Sequence, residues 1–301
     1  MASTVYFTRD LTPEGLIKIY EALNWTPKGN TCVKISTGEA FNPNSLDPDF
    51  IYPLIKKVNG KIVEGNTCYP GPRGFTPTHN AVILKHGYTF GAGGVDILDK
   101  KGTVELPVTG GKHLKSDLVG DGIKKYDSCI CLVHFKGHPM AGYGGSIKNM
   151  SIGFATPVGK GRIHSADEEN NRWTAILGKG RFLKDGGDPY FQESMVEAAS
   201  AVADYFGREN VIYINNMYKL SVDCDCFPFP AEPKMDDYGI FASTDPVACD
   251  QACLDVIYER KDAEGADLVE RIRKRGGLRQ VEYGEEFGLG SREYTVIDID
   301  K

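Results

Sequence analysis

Residues 129–164 read CICLVHFKGHPMAGYGGSIKNMSIGFATPVGKGRIH. The segment opens on an apolar run, Cys129 to Val133, suited to a buried strand, and turns abruptly polar at His134, Lys136, Gly137 and His138. Ionisable groups at the end of a buried strand lie where the crevice of an open α/β sheet receives ligands. Gly142, Gly144 and Gly145 follow, and an amphipathic turn then carries Lys148 and Asn149. Glycines let backbone N–H groups approach an anion, and a nearby lysine can neutralise it. Lys136, Gly142, Gly144, Gly145, Lys148 and Asn149 are therefore candidate cofactor-binding residues. The loop fits neither the dinucleotide fingerprint nor the phosphate-loop pattern, so a plain strand-to-helix connection stands as the alternative. Three of the six histidines, His134, His138 and His164, fall within this one segment, and that concentration favours a ligand or metal site.

Outward from this segment, strands and helices alternate. Ser3 to Thr8 reads as a strand, and Thr12-Pro13 opens a helix to about Leu23. Thr31 to Ser36 is a second strand, ending in Ser36-Thr37-Gly38-Glu39, which suits either an anion site or turn chemistry. Asp47-Pro48 opens a helix through Val58, Lys61 to Glu64 is a strand, and a helix to His86 and a strand near Val95 to Leu98 follow. Between them NTCYPGPRGFTPT, residues 66–78, is a loop that could reach over the crevice, with Arg73 and the adjoining His79 as its only plausible ligand groups, although solvated surface is the preferred reading for both. The alternation predicts an α/β fold, a mostly parallel sheet with helices on both faces and a crevice at the strand carboxyl ends. No linker clearly divides residues 1–301, which form a single domain or two lobes of about 1–165 and 166–301.

The later chain adds the polar stretch from Ser165 to Pro189, a helix from Tyr190 to Phe206 and a strand from Val211 to Asn215. Cys224-Asp-Cys226 can present two soft sulfurs to one metal ion, or can be a pair of reduced thiols in a turn. Tyr238 to Ala242 is a strand, and Asp245 caps a helix through Tyr258 in which Cys249 and Cys253 read as core. Asp250 faces the crevice or solvent on this reading. A helix around Asp267 to Lys274 and a strand near Tyr294 to Ile299 complete the chain.

Apolar content of 41% and charged content of 25% are those of a globular protein, and the net charge of −6 argues against a nucleic-acid partner. The sequence shows neither a signal peptide nor a membrane-length apolar stretch, so the expectation is a cytoplasmic protein without membrane association. Eight cysteines in that compartment predict reduced thiols or metal ligands over disulfides.

His134-Phe-Lys-Gly-His138, Gly142-Tyr-Gly-Gly-Ser-Ile-Lys-Asn149, Gly159-Lys160, His164, Cys224-Asp-Cys226 and Ala242-Ser-Thr-Asp-Pro-Val-Ala-Cys-Asp250 resemble the bacterial and archaeal family called domain of unknown function 362. Val33-Lys34, Gly38-Glu39, Gly288-Leu-Gly290 and Tyr294 extend the resemblance over nearly the whole chain. The family is named mainly for its association with iron–sulfur proteins, and many members carry a ferredoxin-like insert after the position of His164. No cysteine occurs from Ser165 to Asp223, so no ferredoxin-type cluster is expected here.

A more distant resemblance is to the nickel-dependent lactate racemases, which have a histidine ten residues before a loop lysine and another sixteen after it, as His138, Lys148 and His164 are spaced. Ala141-Gly142-Tyr143, Gly145 and Gly153 also align, whereas Gly144, Ser146, Ile147, Ile152 and Ile163 depart from that pattern. The resemblance implies that Lys148 anchors a nucleotide cofactor, His164 ligates nickel and His138 is an acid/base.

The expectation is a metal- or cofactor-dependent enzyme of redox or isomerase type acting on a small-molecule ligand. Its candidate catalytic residues are His138, Lys148 and His134, and its candidate metal ligands are His164, Cys224 and Cys226. The metal is nickel, iron or zinc, with a lysine-linked or phosphate-bearing cofactor as a further expectation. Two alternatives remain: an accessory protein that binds metal through Cys224 and Cys226 and serves an electron-transfer partner, and a phosphate or nucleotide binder.

Overall fold

A computed structural model of the chain describes residues 2–89, 94–168, 186–260 and 263–301. Its centre is an eight-stranded sheet in the order β12-β1-β11-β10-β7-β2-β3-β4. These strands are β1 (Ser3–Thr8), β2 (Thr31–Lys34), β3 (Lys61–Glu64), β4 (Val95–Ile97), β7 (Ser128–His134), β10 (Val211–Met217), β11 (Gly239–Ser243) and β12 (Tyr294–Asp298). From β10 to β4 every pairing is parallel. β11 runs antiparallel to both its neighbours, and β1 pairs with β12 in parallel. Strands from the first and second halves of the chain thus interleave in one sheet.

Each face of the sheet carries its own core. Cys129, Cys131 and Val133 of β7 point to one side and Ile130 and Leu132 to the other, as strand geometry requires. Ile130 and Leu132 meet α1 (Pro13–Ala22), α2 (Pro48–Lys57) and α3 (Thr76–Lys85) through Leu16, Ile19, Ile51, Leu54 and Ile83. The opposite face packs on α4 (Ser146–Phe154), α5 (Pro157–Ser165), α6 (Pro189–Phe206), α7 (Pro246–Glu259), α8 (Ala263–Lys274) and α9 (Arg279–Glu286). Helices therefore cover both faces, and β7 is buried along its full length, which explains its unbroken apolar run.

The local start signals act as expected. Thr12, Asp47 and Asp245 each accept a backbone N–H one turn or less into α1, α2 and α7, and each helix has proline at its first position. Cys249 and Cys253 are core residues, each fully buried. Two features go beyond the sequence reading. A short hairpin joins β5 (Thr103–Pro107) and β6 (Ser116–Gly120), and another, β8 (Lys136–His138) with β9 (Gly142–Gly144), forms inside the expected glycine loop. Residues 169–185, most of the polar stretch after Ser165, lie outside the described residues. Among the described residues no helix is long and apolar enough to cross a membrane.

Candidate functional site

A cavity of about 260 Å³ opens at the carboxyl ends of β2, β3 and β7. The chain delivers ionisable groups there from six segments. Lys34 ends β2, Glu64 ends β3, Lys136 and His138 lie on the β8–β9 hairpin, Lys148 and Asn149 on α4, and Lys160 and His164 on α5. Cys224 and Cys226 enter from the segment after β10. Of the residues singled out by sequence, Lys136, His138, Gly144, Gly145, Lys148, Asn149, His164, Cys224 and Cys226 all line the cavity.

His134 and Gly142 do not line it. The Nδ1 of His134 lies 2.8 Å from Asp225 Oδ1 and its Nε2 2.7 Å from the Tyr218 carbonyl oxygen, so both ring nitrogens are engaged. Lys136 Nζ closes the same cluster, 2.8 Å from Asp225 Oδ2, and donates to the His134 carbonyl. Burial would raise the Asp225 carboxyl, but Lys136 and His134 outweigh it and hold the group below the usual carboxylate range. The ion cluster pins the Cys-Asp-Cys turn to the end of β7. Gly142 has φ +82°, and a Cβ there would meet Gly277 Cα at 2.9 Å, so its small size serves chain packing.

The glycine loop does place an anion at a helix N-terminus, but that anion belongs to the chain. Asp250 of α7 accepts the Ser146 and Ile147 N–H groups at 2.7 and 3.1 Å, and the Asn215 amide at 2.8 Å. A Cβ on Gly145 would lie 2.4 Å from Asp250 Oδ1, which explains the glycine. The expectation that Asp250 faces crevice or solvent is corrected: it is fully buried, and two N–H groups of the first turn of α4 are already committed to it.

Two histidines face the cavity with opposite polarity. The Nδ1 of His138 accepts the Met140 and Ala141 N–H groups at 3.2 and 2.9 Å, so a neutral ring carries its proton on Nε2. That nitrogen lies 3.7 Å from Cys226 Sγ. His164 instead points Nδ1 at the Lys160 carbonyl oxygen, 2.6 Å away, so Nδ1 donates and Nε2 keeps its lone pair. Its ring stacks on Phe191 with centroids 4.5 Å apart. Burial, then Lys148, push His138 down to about 4. Burial likewise brings His164 down to about 4 against its bond to the Lys160 carbonyl. Both rings are neutral at pH 7.

The Cys224 and Cys226 sulfurs are 2.6 Å apart. Burial disfavours ionisation of Cys224, but the Cys226 thiol, Lys148 and His138 outweigh it and hold Cys224 well below an ordinary thiol; Cys226 is correspondingly raised by its bond to Cys224. Of the two, Cys224 is therefore the thiol that ionises first. His138 Nε2 and the two sulfurs lie within 4.8 Å of one another, a His/Cys group that could hold a metal ion. The Lys148 carbonyl accepts the Ser151 hydroxyl at 3.2 Å, whereas the Lys148 Nζ has no hydrogen-bond or ion-pair partner among the described residues.

Two lysines of the cavity were not anticipated as site residues. Lys34 and Lys160 reach it while only 2% and 5% exposed. Arg73 and His79, expected on the surface, are buried: Arg73 forms an ion pair with Glu64, and His79 Nε2 lies 3.3 Å from the second Glu64 oxygen. Arg73 lines the cavity and His79 stands behind it. Burial would raise Glu64, but Arg73 and His79 hold it below the carboxylate range. Their signal was the terminal glutamate of a buried strand, which needs a cation within reach.

Comparison with known proteins finds no match among curated proteins. The solved structure of the lactate racemase apoprotein from Thermoanaerobacterium thermosaccharolyticum is similar at a TM-score of 0.49 and 14% identity, over 84% of this chain and 57% of that one. This chain thus spans little more than half the length of that protein. Residues 31–255 match the family described as Domain of unknown function (DUF362), and the chain belongs to that family.

Proposed function

We propose that this chain is a metal-dependent enzyme of redox or isomerase type acting on a small molecule in the 260 Å³ cavity. The observations that carry the reading are the opposed polarity of the two histidines lining the cavity and the Cys224–Cys226 pair that shares it. Metal ligation needs a lone pair, and His164 Nε2 presents one while its other nitrogen is anchored to a carbonyl, the usual support for a ligating imidazole. A thiolate on Cys224 and the adjoining Cys226 supply soft donors suited to nickel, iron or zinc. His138 fits ligation poorly, because its Nδ1 already accepts two N–H groups and its Nε2 carries the proton.

Cys224 and Cys226 would hold the ion with His164 of the same cavity lining, and the ion when bound supplies Lewis-acid polarisation of a substrate oxygen. His138 Nε2–H would donate a hydrogen bond or a proton to charge developing on the substrate. Lys148, a cation without a carboxylate partner, would neutralise an anionic group of ligand or cofactor. Lys136 and Asp225 keep the cysteine turn in register with His138.

Elemental analysis of anaerobically purified protein tests this. The expected result is about one nickel, iron or zinc per chain, lost in the Cys224→Ser/Cys226→Ser double variant and weakened in His164→Ala. Metal-free protein, or metal retained in both variants, would refute the assignment.

A further inference from the structure

We propose that Lys34 is a carbonyl-reactive amine that takes an aldehyde or ketone ligand in the cavity as a Schiff base. The inference uses the cavity described above but needs no metal ion. Lys34 ends β2 at the centre of the parallel strands and is 2% exposed. Its Nζ has two acceptors, the Ile35 carbonyl at 2.6 Å and Asn149 Oδ1 at 3.2 Å, and no carboxylate partner among the described residues. Asn149 is held in that orientation, since its Nδ2 donates to the Lys34 carbonyl and to Cys131 Sγ at 3.0 and 3.4 Å. A neutral amine has two N–H bonds and one lone pair. Two acceptors satisfy the N–H bonds, and the lone pair is left for the cavity. By contrast Lys136 has Asp225 as counterion, the environment of an ammonium.

The surroundings agree. Burial brings Lys34 down to about 8; Glu64 of β3 and Cys131 of β7 oppose this, while Lys160 of α5 and Arg73 favour it. Space has been cleared for the side chain as well: a Cβ on Gly153 would lie 2.6 Å from Lys34 Cε. In the step itself the Lys34 lone pair forms a C–N bond to the carbonyl carbon. The carbonyl oxygen takes up both protons of the neutral amine and leaves as water, so an imine forms with no net redox change, and a solvent proton taken up on its nitrogen gives the iminium. Such an imine draws electrons from the neighbouring carbon, which suits proton removal there.

Reductive trapping tests the proposal. Whole protein is treated with glyoxylate and sodium cyanoborohydride at pH 7, with and without chelator, and adducts are located by intact mass and peptide mapping. The expected result is labelling of Lys34 at least about tenfold faster than any surface lysine. Lys34→Arg should abolish that adduct. Asn149→Asp, which sets a carboxylate beside Nζ and favours the ammonium, should slow it about tenfold, a one-unit rise in pKa. Trapping at Lys148, Lys160 or surface lysines in preference to Lys34, or trapping at Lys34 unaffected by Asn149→Asp, would overturn it. Because the readout is independent of metal, Lys34 labelling in metal-free protein separates this inference from the metal assignment.

Discussion

The Nε2 of His138 stands 3.7 Å from Sγ of Cys226, at the floor of a cavity that also receives Lys148. The ring is oriented by two backbone N–H groups on its other nitrogen, so its own N–H points at the sulfur pair. A proton donor and a cation facing two thiols stabilise a thiolate. His138→Phe keeps a flat ring but removes the donor. The pH profile of Cys224 alkylation by iodoacetamide should then move up by about one unit, with the slowing seen on its acid limb. Quenched labelling with peptide mapping measures this, and an unchanged profile would show that His138 does not support the thiolate.

Asp250 gives the chain a pH-dependent element. Burial raises it to about 6, although four hydrogen bonds from Asn215, Ser146 and Ile147 work the other way. An unfolded aspartate titrates near ~4, so between ~4 and ~6 the folded state binds more protons than the unfolded chain. This contribution to stability is therefore present in acid and lost as pH rises through about 6, by about 3 kcal/mol in total. Asp117, raised by burial to about 7, has the same sign over a window extending higher. Urea denaturation at pH 4.5 and 7 should show wild type losing more stability over that interval than Asp250→Ala. The variant should also be less stable at both pH values by about 2–4 kcal/mol, because it leaves buried N–H donors unpaired.

Arg73 is the counterion of a fully buried carboxylate. Arg73→Ala leaves Glu64 with only Thr37 and His79 and should cost about 3–5 kcal/mol by denaturant midpoint. Replacing Glu64 as well, in Arg73→Met/Glu64→Leu, should recover most of that loss, since no charge is then stranded. A solvated Arg73 would instead show a cost within about 0.5 kcal/mol.

The two central glycines of the loop should behave differently. A Cβ on Gly144 would meet Lys136 Cε and Lys148 Cδ at 3.5 Å, ordinary contact distance, so Gly144→Ala should change stability by less than about 1 kcal/mol. On Gly145 the same atom would sit 2.4 Å from the Asp250 carboxylate, so Gly145→Ala should cost about 2 kcal/mol or more. Thermal melts of the two variants side by side give the comparison, and equal costs would contradict the Asp250 contact.

Local chemistry marked the strands of the main sheet and most of the helices, though not the β5–β6 and β8–β9 hairpins. Proline at the first position behind a threonine or aspartate cap favours a helix start, and the run Cys129 to Val133 suited a buried strand. From their alternation came the parallel sheet with helices on both faces, and from the polarity change at His134 came the place of the cavity. Tertiary structure decided the rest, because it depends on partners far away in the chain. Whether the glycine loop binds a foreign anion turned on Asp250, about a hundred residues later. Which histidine offers a proton and which a lone pair was set by the carbonyl of Lys160 and the amides of Met140 and Ala141, groups that every residue has and no motif marks. The burial of Lys34, Glu64, Arg73 and His79 was not legible in sequence, since a charged residue shows its burial only when the counterion, or its absence, is in view.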